Sequence, residues 1–432
     1  MSMIVEPGLV SGDAAQAVSA VPFHPSEIFF SRTDGRGKIV AGNSVFQRIS
    51  QYAWDELLGQ PHNVIRHADM PRGIFWLLWD RIRRGLLTGA YVKNRARDGR
   101  HYWVFAIVAP AENGYLSVRI KPGSETFGLA AREYARLLAL EAKRALSPAE
   151  SGALMTERLA ELGFSDYDAF MAHALTEEMA ARNAQIERGE DRMMTHFRTL
   201  MAGAQSIISK TAQLSSGYAD HQFVPLNLLV QAGRLGQAGS AIGTISGNYS
   251  LLSAEIRAGL ASFSASAARV AANICRGAFM LGTARIQQET ISLFSSEPPQ
   301  AEVDHAREMS HLTAQEQSYR RYTRATLYGI RDDVEQFHRQ TLDLKRLASG
   351  LSAIRVMGKV ESGRLAVAVL ADLIADLEAF QAVIAEGLAE IALVNQDLRH
   401  NVAALVEAQD CLSAFGIPVP PPLVASGGPA CG

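Results

Sequence analysis

Apolar residues occur mainly in short β-type runs before about residue 123, and they follow a helical period after about Ala130. In the first part, short β-type runs alternate with turn signals, as expected for the strands of a sheet. The Asp98-Gly99 pair predicts a hairpin, because a tight turn at that point needs positive φ. The five predicted strands are Ile28 to Ser31, Lys38 to Ala41, Ala90 to Ala96, His101 to Ala109 and Tyr115 to Ile120.

Helical patches separate the second predicted strand from the third. They cover Ser44 to Ser50, Trp54 to Leu58 and Arg72 to Arg84. The order of two strands, short helices and three strands predicts an α+β domain with a five-stranded antiparallel sheet and flanking helices. Helices over one face of such a sheet leave a pocket between the two layers, where a cofactor can sit.

The second part of the chain is patterned for long helices. One apolar series runs from Ile186 to Tyr218 and another from Ile245 to Ile274, both in steps of three and four as in a coiled-coil seam. A glycine-rich break at 233 to 239 lies between them, and Pro298-Pro299 stops the helix that follows. The pattern predicts one antiparallel four-helix bundle, with helices at about 180 to 234, 240 to 295, 300 to 357 and 363 to 412.

Charge and composition exclude several classes of protein. The 432 residues carry a net charge of −2, so no basic face is available to neutralise the phosphates of a nucleic acid. No apolar run is long enough to span a bilayer, and the three cysteines are far apart, which predicts a soluble protein in the reducing cytoplasm. We find no catalytic triad, P-loop, kinase or cyclase signature, and therefore expect no enzyme activity.

Two histidines are candidate ligands of a metal or haem. His62 and His67 stand five residues apart, without a carboxylate or thiolate partner at a usable spacing. They fit loop histidines better than ligands, so we expect no metal.

One long motif is far more specific than the pattern around it. The residues from Gly59 to Pro71 read GQPHNVIRHADMP, and Val92-Lys93-Asn94 and His101-Tyr102-Trp103-Val104 follow. Over residues 22 to 122 the chain resembles the PAS sensor domain of aerotaxis receptors. That resemblance implies a PAS fold that holds a flavin, FAD, and reads redox state.

The resemblance also implies a set of flavin-binding residues. Physically, Trp79 can stack on a flat ring, Arg66 can meet a pyrophosphate, and amide side chains can meet ring carbonyl and imide groups. An alternative reading makes Arg66 and its neighbours an ion network that caps the helix after Pro71. The family often has tryptophan where Thr88 stands here, so the surroundings of a flavin are expected to differ there. The implied cofactor-binding residues are Asn43, Arg66, His67, Asp69, Trp79 and Asn94.

A second resemblance lies at the breaks between the helices. Leu226 to Gly239 looks like a degenerate hairpin tip of methyl-accepting chemotaxis receptors, with Gln231 and Gln237 where the family has glutamates. A fainter copy follows at Glu361-Ser362-Gly363-Arg364. The resemblance implies contact with a chemotaxis histidine kinase or coupling protein, or with other receptors, through Asn227, Arg234, Glu361 and Arg364. The alternative is a helix turn kept for its geometry.

Together these features predict a soluble signal-transduction protein that senses redox or oxygen-linked state through a PAS-bound flavin and relays it to a chemoreceptor-like bundle. The competing hypothesis is a non-sensory interaction scaffold, with an empty PAS fold and a bundle that has lost kinase coupling. The bundle can form within one chain, so a monomer is possible. The predicted parts are a flexible N-terminal arm (1–21), the PAS domain (22–122), a helical linker (123–180), the bundle with tips near 237 and 361 (181–415) and a flexible tail (416–432).

Overall fold

The computed structural model describes residues 20–221 and 223–415. Nearly all of the predicted arm and the whole predicted tail lie outside the described residues. Two compact units divide the described chain. One comprises the residues up to Met194 together with Ala278–Thr323, and the other comprises Thr195–Gly277 with the residues from Arg324 onward. The predicted boundaries between arm, linker and bundle remain predictions.

The first unit contains the predicted sheet. Its strands pair in the order β2-β1-β5-β4-β3, all antiparallel. The Asp98-Gly99 hairpin is confirmed, since Gly99 has φ +91° in the turn between β3 and β4. The strand bounds are β1, Phe29–Asp34; β2, Ile39–Gly42; β3, Thr88–Arg95; β4, His101–Ala111; and β5, Gly114–Ile120.

Short helices connect β2 to β3, as predicted. They are α1 (Ser44–Ser50), α2 (Trp54–Leu57), a 3-10 turn (His62–Ile65) and α3 (Arg72–Arg83). α3 presents Phe75, Leu78, Trp79 and Ile82 at steps of three and four, so these four side chains share one face of the helix. The five-stranded antiparallel sheet with flanking helices is therefore confirmed.

Three further helices follow β5 in this unit: α4 (Glu125–Arg144), α5 (Pro148–Glu161) and α6 (Tyr167–Gln185). The buried carboxylate of Glu178, on α6, accepts hydrogen bonds from the Tyr91 hydroxyl (2.8 Å), the Gly123 amide (2.7 Å) and the Ser124 hydroxyl (2.5 Å). Ser124 is itself the N-cap of α4. One carboxylate thus ties an outer-face residue of the sheet to the first turn of a helix, where the unsatisfied N–H groups favour an anion.

The outer face of the sheet is covered by residues from much later in the sequence. Phe30 packs edge-to-face on Phe294, with ring centroids 5.0 Å apart. Arg32 forms a buried ion pair with Glu308, whose two oxygens lie 3.1 and 2.8 Å from the arginine Nε. These partners come from α9 (Ser240–Ser295) and α10 (His305–Leu365). The sheet is therefore buried on both faces, and its outer layer is not part of the 22–122 sequence that resembles PAS domains.

The second unit is helical throughout its described residues. Its helices are α7 (Arg192–His221), α8 (Val224–Arg234), the parts of α9 and α10 assigned to it, and α11 (Ala368–Phe415). Phe263 of α9 and Phe337 of α10 stack with ring centroids 4.3 Å apart. Contacts of Gly203 with Leu398 and of Gly217 with Val383 show that α7 and α11 run antiparallel. The long antiparallel helical region is confirmed.

The two tips differ from each other in backbone geometry. The first contains the 3-10 turn Gly236–Gly239, and Gly236 has φ +56°. At the second, the chain leaves α10 at Ala366, with φ +53°, a few residues beyond the expected position near 361. Alanine is a strong helix former, so the sequence gives no signal for a left-handed residue there.

A close approach of two helices leads to a testable result. Gly73 is the second residue of α3, and a Cβ added there would lie 2.3 Å from the Ser151 Oγ and 2.6 Å from the backbone nitrogen of Gly152 on α5. Because backbone cannot give way easily, we expect Gly73→Ala to destabilise the protein by about 1–3 kcal/mol, measured by urea unfolding. Gly128→Ala is the control. It lies in α4 with a flexible arginine end as its nearest neighbour, and helix propensity should make it neutral or slightly stabilising.

Candidate functional site

A cavity of about 290 Å³ lies between the sheet and the helices that connect β2 to β3. This volume is near the lower end of the roughly 300–1,000 Å³ of small-molecule pockets. Phe75, Leu78, Trp79 and Ile82 form its helical wall, and Val92, Ala106 and Val108 form part of its sheet floor. Among the described residues that line the cavity, none is acidic.

Trp79 lies half-buried in the helical wall. Its ring meets Tyr115 edge-to-face at 5.4 Å, and it passes within 3.2 Å of where a Cβ of Gly37 would be. Gly37, at φ +79°, closes the turn between β1 and β2. A side chain at that position would press on the indole ring, so the turn and the aromatic wall depend on each other.

The sheet floor carries an arginine. Arg119 on β5 is only 4% exposed, and its guanidinium donates to the Ser31 Oγ at 2.9 Å and to the His62 Nε2 at 2.7 Å. Arginine has no acceptor, so the His62 Nε2 must accept. Burial, with the nearby Arg119 charge, lowers the pKa of His62 to about 3. The imidazole is therefore neutral at physiological pH and carries its proton on Nδ1.

Several polar groups on the same face of the sheet have no hydrogen-bond partner among the described residues. They are the Asn94 Nδ2, the Tyr102 hydroxyl and the Ser117 Oγ. Antiparallel pairing aligns Asn94 with Tyr102, and the alternation along β5 places Ser117 on the face that Arg119 occupies. A buried polar group without a partner costs about 1–3 kcal/mol, and a polar ligand or an ordered water in the cavity can supply the missing partner.

Two more cations lie at the edge of the cavity. The guanidinium of Arg66 packs over the Phe75 ring, 4.0 Å from its centroid, and donates to the Met70 carbonyl at 3.3 Å. Burial lowers its pKa somewhat from the ordinary arginine value. Arg36 is exposed and also lines the cavity. A ligand with phosphate groups directed outward would meet both charges.

The structure brings together some of the residues implied by the resemblance. Arg66 and Trp79 line the cavity, and Asn94 lies on its sheet face with an unsatisfied amide nitrogen. Thr88 lies on the same face by register, but its hydroxyl donates to the Leu86 carbonyl at 3.2 Å. Arg66, Trp79 and Asn94 remain predictions as flavin ligands, and the local geometry is compatible with that role.

Asn94 and the other three implied residues, Asn43, His67 and Asp69, do not line the cavity. The Asn43 Oδ1 accepts from the Phe30 and Phe46 amides, and its Nδ2 donates to the Ile28 carbonyl and to the Glu297 carboxylate. Its amide is thus occupied by capping α1 and by contact with the chain that covers the outer face. The expected role of Asn43 as a ligand has no support from this geometry.

His67 and Asp69 form a loop network. The Asp69 carboxylate pairs with the Lys93 ammonium at 2.6 Å, which holds its pKa below the usual range, and the His67 Nδ1 accepts from the Asp69 amide at 3.1 Å. This arrangement matches the ion-network alternative for the residues before Pro71. Burial lowers the pKa of His67, so it too favours the neutral form.

The residues expected at the tips belong to the second unit. Asn227 and Arg234 are exposed on α8, whose outward side also carries Leu226, Leu229 and Val230. Arg364 instead pairs with Glu361 three residues earlier in α10, at 3.0 Å between Nε and Oε1. A partner-binding role for all four remains a prediction.

Arg119 was not among the residues singled out in the sequence. The one sequence signal is the alternation of side chains along β5. Tyr115, Ser117 and Arg119 share one face of the strand, which puts a cation where a core residue is expected. That anomaly becomes visible only once the register fixes which face is inside. Among the described residues, no group of three or more His, Cys, Asp or Glu side chains could hold a metal ion.

Strand order, the helices between β2 and β3, and the cavity between the two layers define a PAS domain, which is followed here by a long helical region. The aerotaxis receptor of Escherichia coli is 37% identical over 109 residues, 24% of this chain and 22% of the receptor. The chain thus matches about a fifth of the length of that relative. No family model matches the chain.

Solved structures with a similar fold include light-sensing domains. The LOV domain of a blue-light activated histidine kinase from Erythrobacter litoralis is 15% identical, covering 21% of this chain and 90% of that domain, with a TM-score of 0.20. The light-state LOV domain of the photoreceptor Aureochrome1 is 19% identical, covering 28% and 96%, with a TM-score of 0.23. A PAS domain from Colwellia psychrerythraea is 17% identical, covering 22% and 85%, with a TM-score of 0.19. No helix in residues 20–221 and 223–415 is long and apolar enough to cross a membrane.

Proposed function

We propose that this chain is a sensory signal-transduction protein that binds a flavin, FAD, in the PAS cavity and reads redox or oxygen-linked state. The observation that carries the proposal is the lining of the cavity, which has Arg119 and the unpartnered Ser117 Oγ on the sheet side, opposite an apolar aromatic wall. A flavin ring has apolar faces and a polar edge of carbonyl and imide groups. Such a ligand meets both surfaces at once.

The size of the cavity favours partial enclosure of the cofactor. About 290 Å³ holds a ring system but not a whole dinucleotide, so the phosphates and adenosine of FAD would extend outward. Arg66 and Arg36 lie at the cavity and would provide the charges for the phosphates. Bound flavin supplies reversible electron transfer, and the residues of this chain supply binding and the electrostatic environment.

A route for the signal runs through β1. Ser31 faces the cavity and accepts from Arg119, whereas the next residue, Arg32, faces outward and pairs with Glu308 on α10. A change of charge or hydrogen bonding in the cavity would shift β1 and alter the packing of α10. The helical region is the element whose packing would respond.

The output would be contact with chemotaxis components. Asn227 and Arg234 are accessible for a histidine kinase or coupling protein, as the resemblance to receptor tips implies. We place the protein in the cytoplasm, where its cysteines stay reduced, and we assign it no enzyme activity.

The spectrum of the purified full chain tests the flavin. We expect a yellow protein with the absorbance of bound flavin, and we expect Trp79→Ala to lower flavin occupancy at least tenfold, because the aromatic wall is lost. Trp76→Ala is the matched control. It removes another tryptophan of α3, one that is 39% exposed and does not line the cavity.

A colourless protein that stays colourless after incubation with FAD and with FMN would remove the flavin proposal. Equal loss of flavin in both tryptophan variants would instead show that occupancy follows the stability of α3 and not the cavity wall. Protein loaded only by FMN would keep a flavin sensor but exclude FAD.

A further inference from the structure

Arg119 is a buried charge without a counter-ion. Its guanidinium bonds to the Ser31 Oγ, the Ser117 carbonyl and the neutral imidazole of His62. No Asp or Glu among the described residues lies within 4.0 Å of it, whereas Arg32 on the neighbouring strand has Glu308. Burial lowers the pKa of Arg119 to about 10, so it remains charged at neutral pH.

The neighbouring rings do not compensate for this charge. The Arg119 Cζ lies 5.9 Å from the Phe29 centroid and 5.7 Å from the Phe46 centroid. Contacts at that range recover only a small part of what it costs to take an ion out of water. An arginine in this position has a net cost, and three other groups on the same face of the sheet lack partners among the described residues. A negatively charged group on a ligand in the cavity would balance the Arg119 charge.

We propose that Arg119 is the counter-charge for the reduced flavin, holding it as the anion and thereby setting the potential at which the sensor switches. This inference rests on the proposed function, because it assumes that a flavin occupies the cavity. Arg119 lines the cavity floor, so it is available to the ring of any occupant. Neutral His62 adds no second positive charge beside it.

The electron count is as follows. Two electrons from an external donor, a reduced electron carrier in the cell or dithionite in the test, reduce the ring. One proton from solvent is added at ring N5, and the remaining negative charge stays on the N1 side of the ring, delocalised onto the adjacent carbonyl. Without a nearby cation the ring takes a second proton at N1, and the reduced form is neutral. Arg119 thus replaces one proton in the reduction.

Potentiometric titration of the flavin-loaded full chain in mildly acidic buffers tests the proposal, with free FAD as reference. We expect wild type to take up one proton for every two electrons, so that a tenfold fall in proton concentration lowers its midpoint potential by about 30 mV, and free FAD to show twice that slope. Arg119→Met should take up two protons and shift to a lower potential at neutral pH by at least the equivalent of tenfold, about 30 mV.

Two variants control for structure and for general charge. Arg119→Lys keeps the charge and should stay near wild type in proton count. Arg84→Met removes an exposed arginine that does not line the cavity and should move the potential much less, because solvent screens that charge.

Four results would overturn the inference. They are a two-proton slope in wild type, an Arg119→Met potential and slope equal to wild type, an Arg84→Met shift as large as that of Arg119→Met, and an Arg119→Lys variant indistinguishable from Arg119→Met. If Arg119→Met fails to fold or to hold flavin, the wild-type slope and Arg119→Lys decide. Wild type that binds no flavin refutes the proposed function and this inference with it, whereas flavin bound with a two-proton slope refutes only the inference.

Discussion

Replacing Glu308 by leucine is expected to lower the free energy of unfolding by about 3–5 kcal/mol, the cost of leaving a buried charge without its partner. Glu308 is 1% exposed, and its two carboxylate oxygens accept hydrogen bonds from the Arg32 Nε and Nη2 in a bidentate pair. Its removal leaves the Arg32 charge without its partner between the sheet and α10, where only 11% of the arginine side chain is exposed to water. Urea unfolding followed by circular dichroism measures the effect.

The double variant Arg32→Leu with Glu308→Leu separates the buried charge from other causes. Because it removes both ions, it should recover most of the lost stability. Glu161→Leu is the surface control, since Glu161 pairs with Arg158 but is 62% exposed, and its loss should change stability little. A Glu308→Leu variant as stable as Glu161→Leu, or a double variant no better than the single one, would contradict this account of the outer face.

Acidification is expected to destabilise the first unit through His62. The unfolded imidazole takes a proton near pH 6.5, whereas the folded one, desolvated and beside Arg119, resists protonation until about pH 3. Between these values the unfolded state binds one proton more than the folded state. Stability is therefore fully present above pH 6.5 and falls as the pH drops, by about 1.4 kcal/mol per pH unit from this one group.

His62→Gln should reduce this slope by one proton, and stability measured between pH 7 and pH 4 should then change less steeply than in wild type. His67 and His101 also have pKa values lowered by burial, so they add to the slope in the same direction. His24→Gln, on an exposed turn, is the matched control. A His62→Gln slope equal to that of wild type would show that His62 is protonated in the folded protein.

Local signals in the sequence predicted most of the sheet. Asp98-Gly99 specifies its turn whatever surrounds it, and the alternation of apolar residues fixes the strands and their faces. The long helices were predictable for the same reason, because their apolar period is carried over many turns. The outer layer of the sheet was not predictable, because no local pattern around Phe30 or Arg32 indicates that Phe294 and Glu308 pack on them.

The site divides in the same way. Arg66 and Trp79 line the cavity as their chemistry suggested, but Asn43 is committed to backbone groups and Glu297, and Asp69 to Lys93. A polar residue next to a predicted pocket can serve the fold as well as a ligand, and only partner distances tell which. Arg119 could not be predicted, because in the sequence it is one arginine among many. It is unusual only in being buried without a carboxylate partner, and that is visible only in the structure.

The pairing of Arg32 with Glu308 also bears on how the chain matures during synthesis. The two residues are 276 positions apart. At about 5–20 residues per second, Glu308 follows Arg32 from the ribosome on the order of 10–60 s later. During that interval the part of the outer face that carries Phe30 and Arg32 lacks its cover from α9 and α10. Fragments that end before about residue 320 keep that face exposed, so a truncated sensor domain is a candidate for aggregation or chaperone binding rather than a faithful substitute for the whole protein.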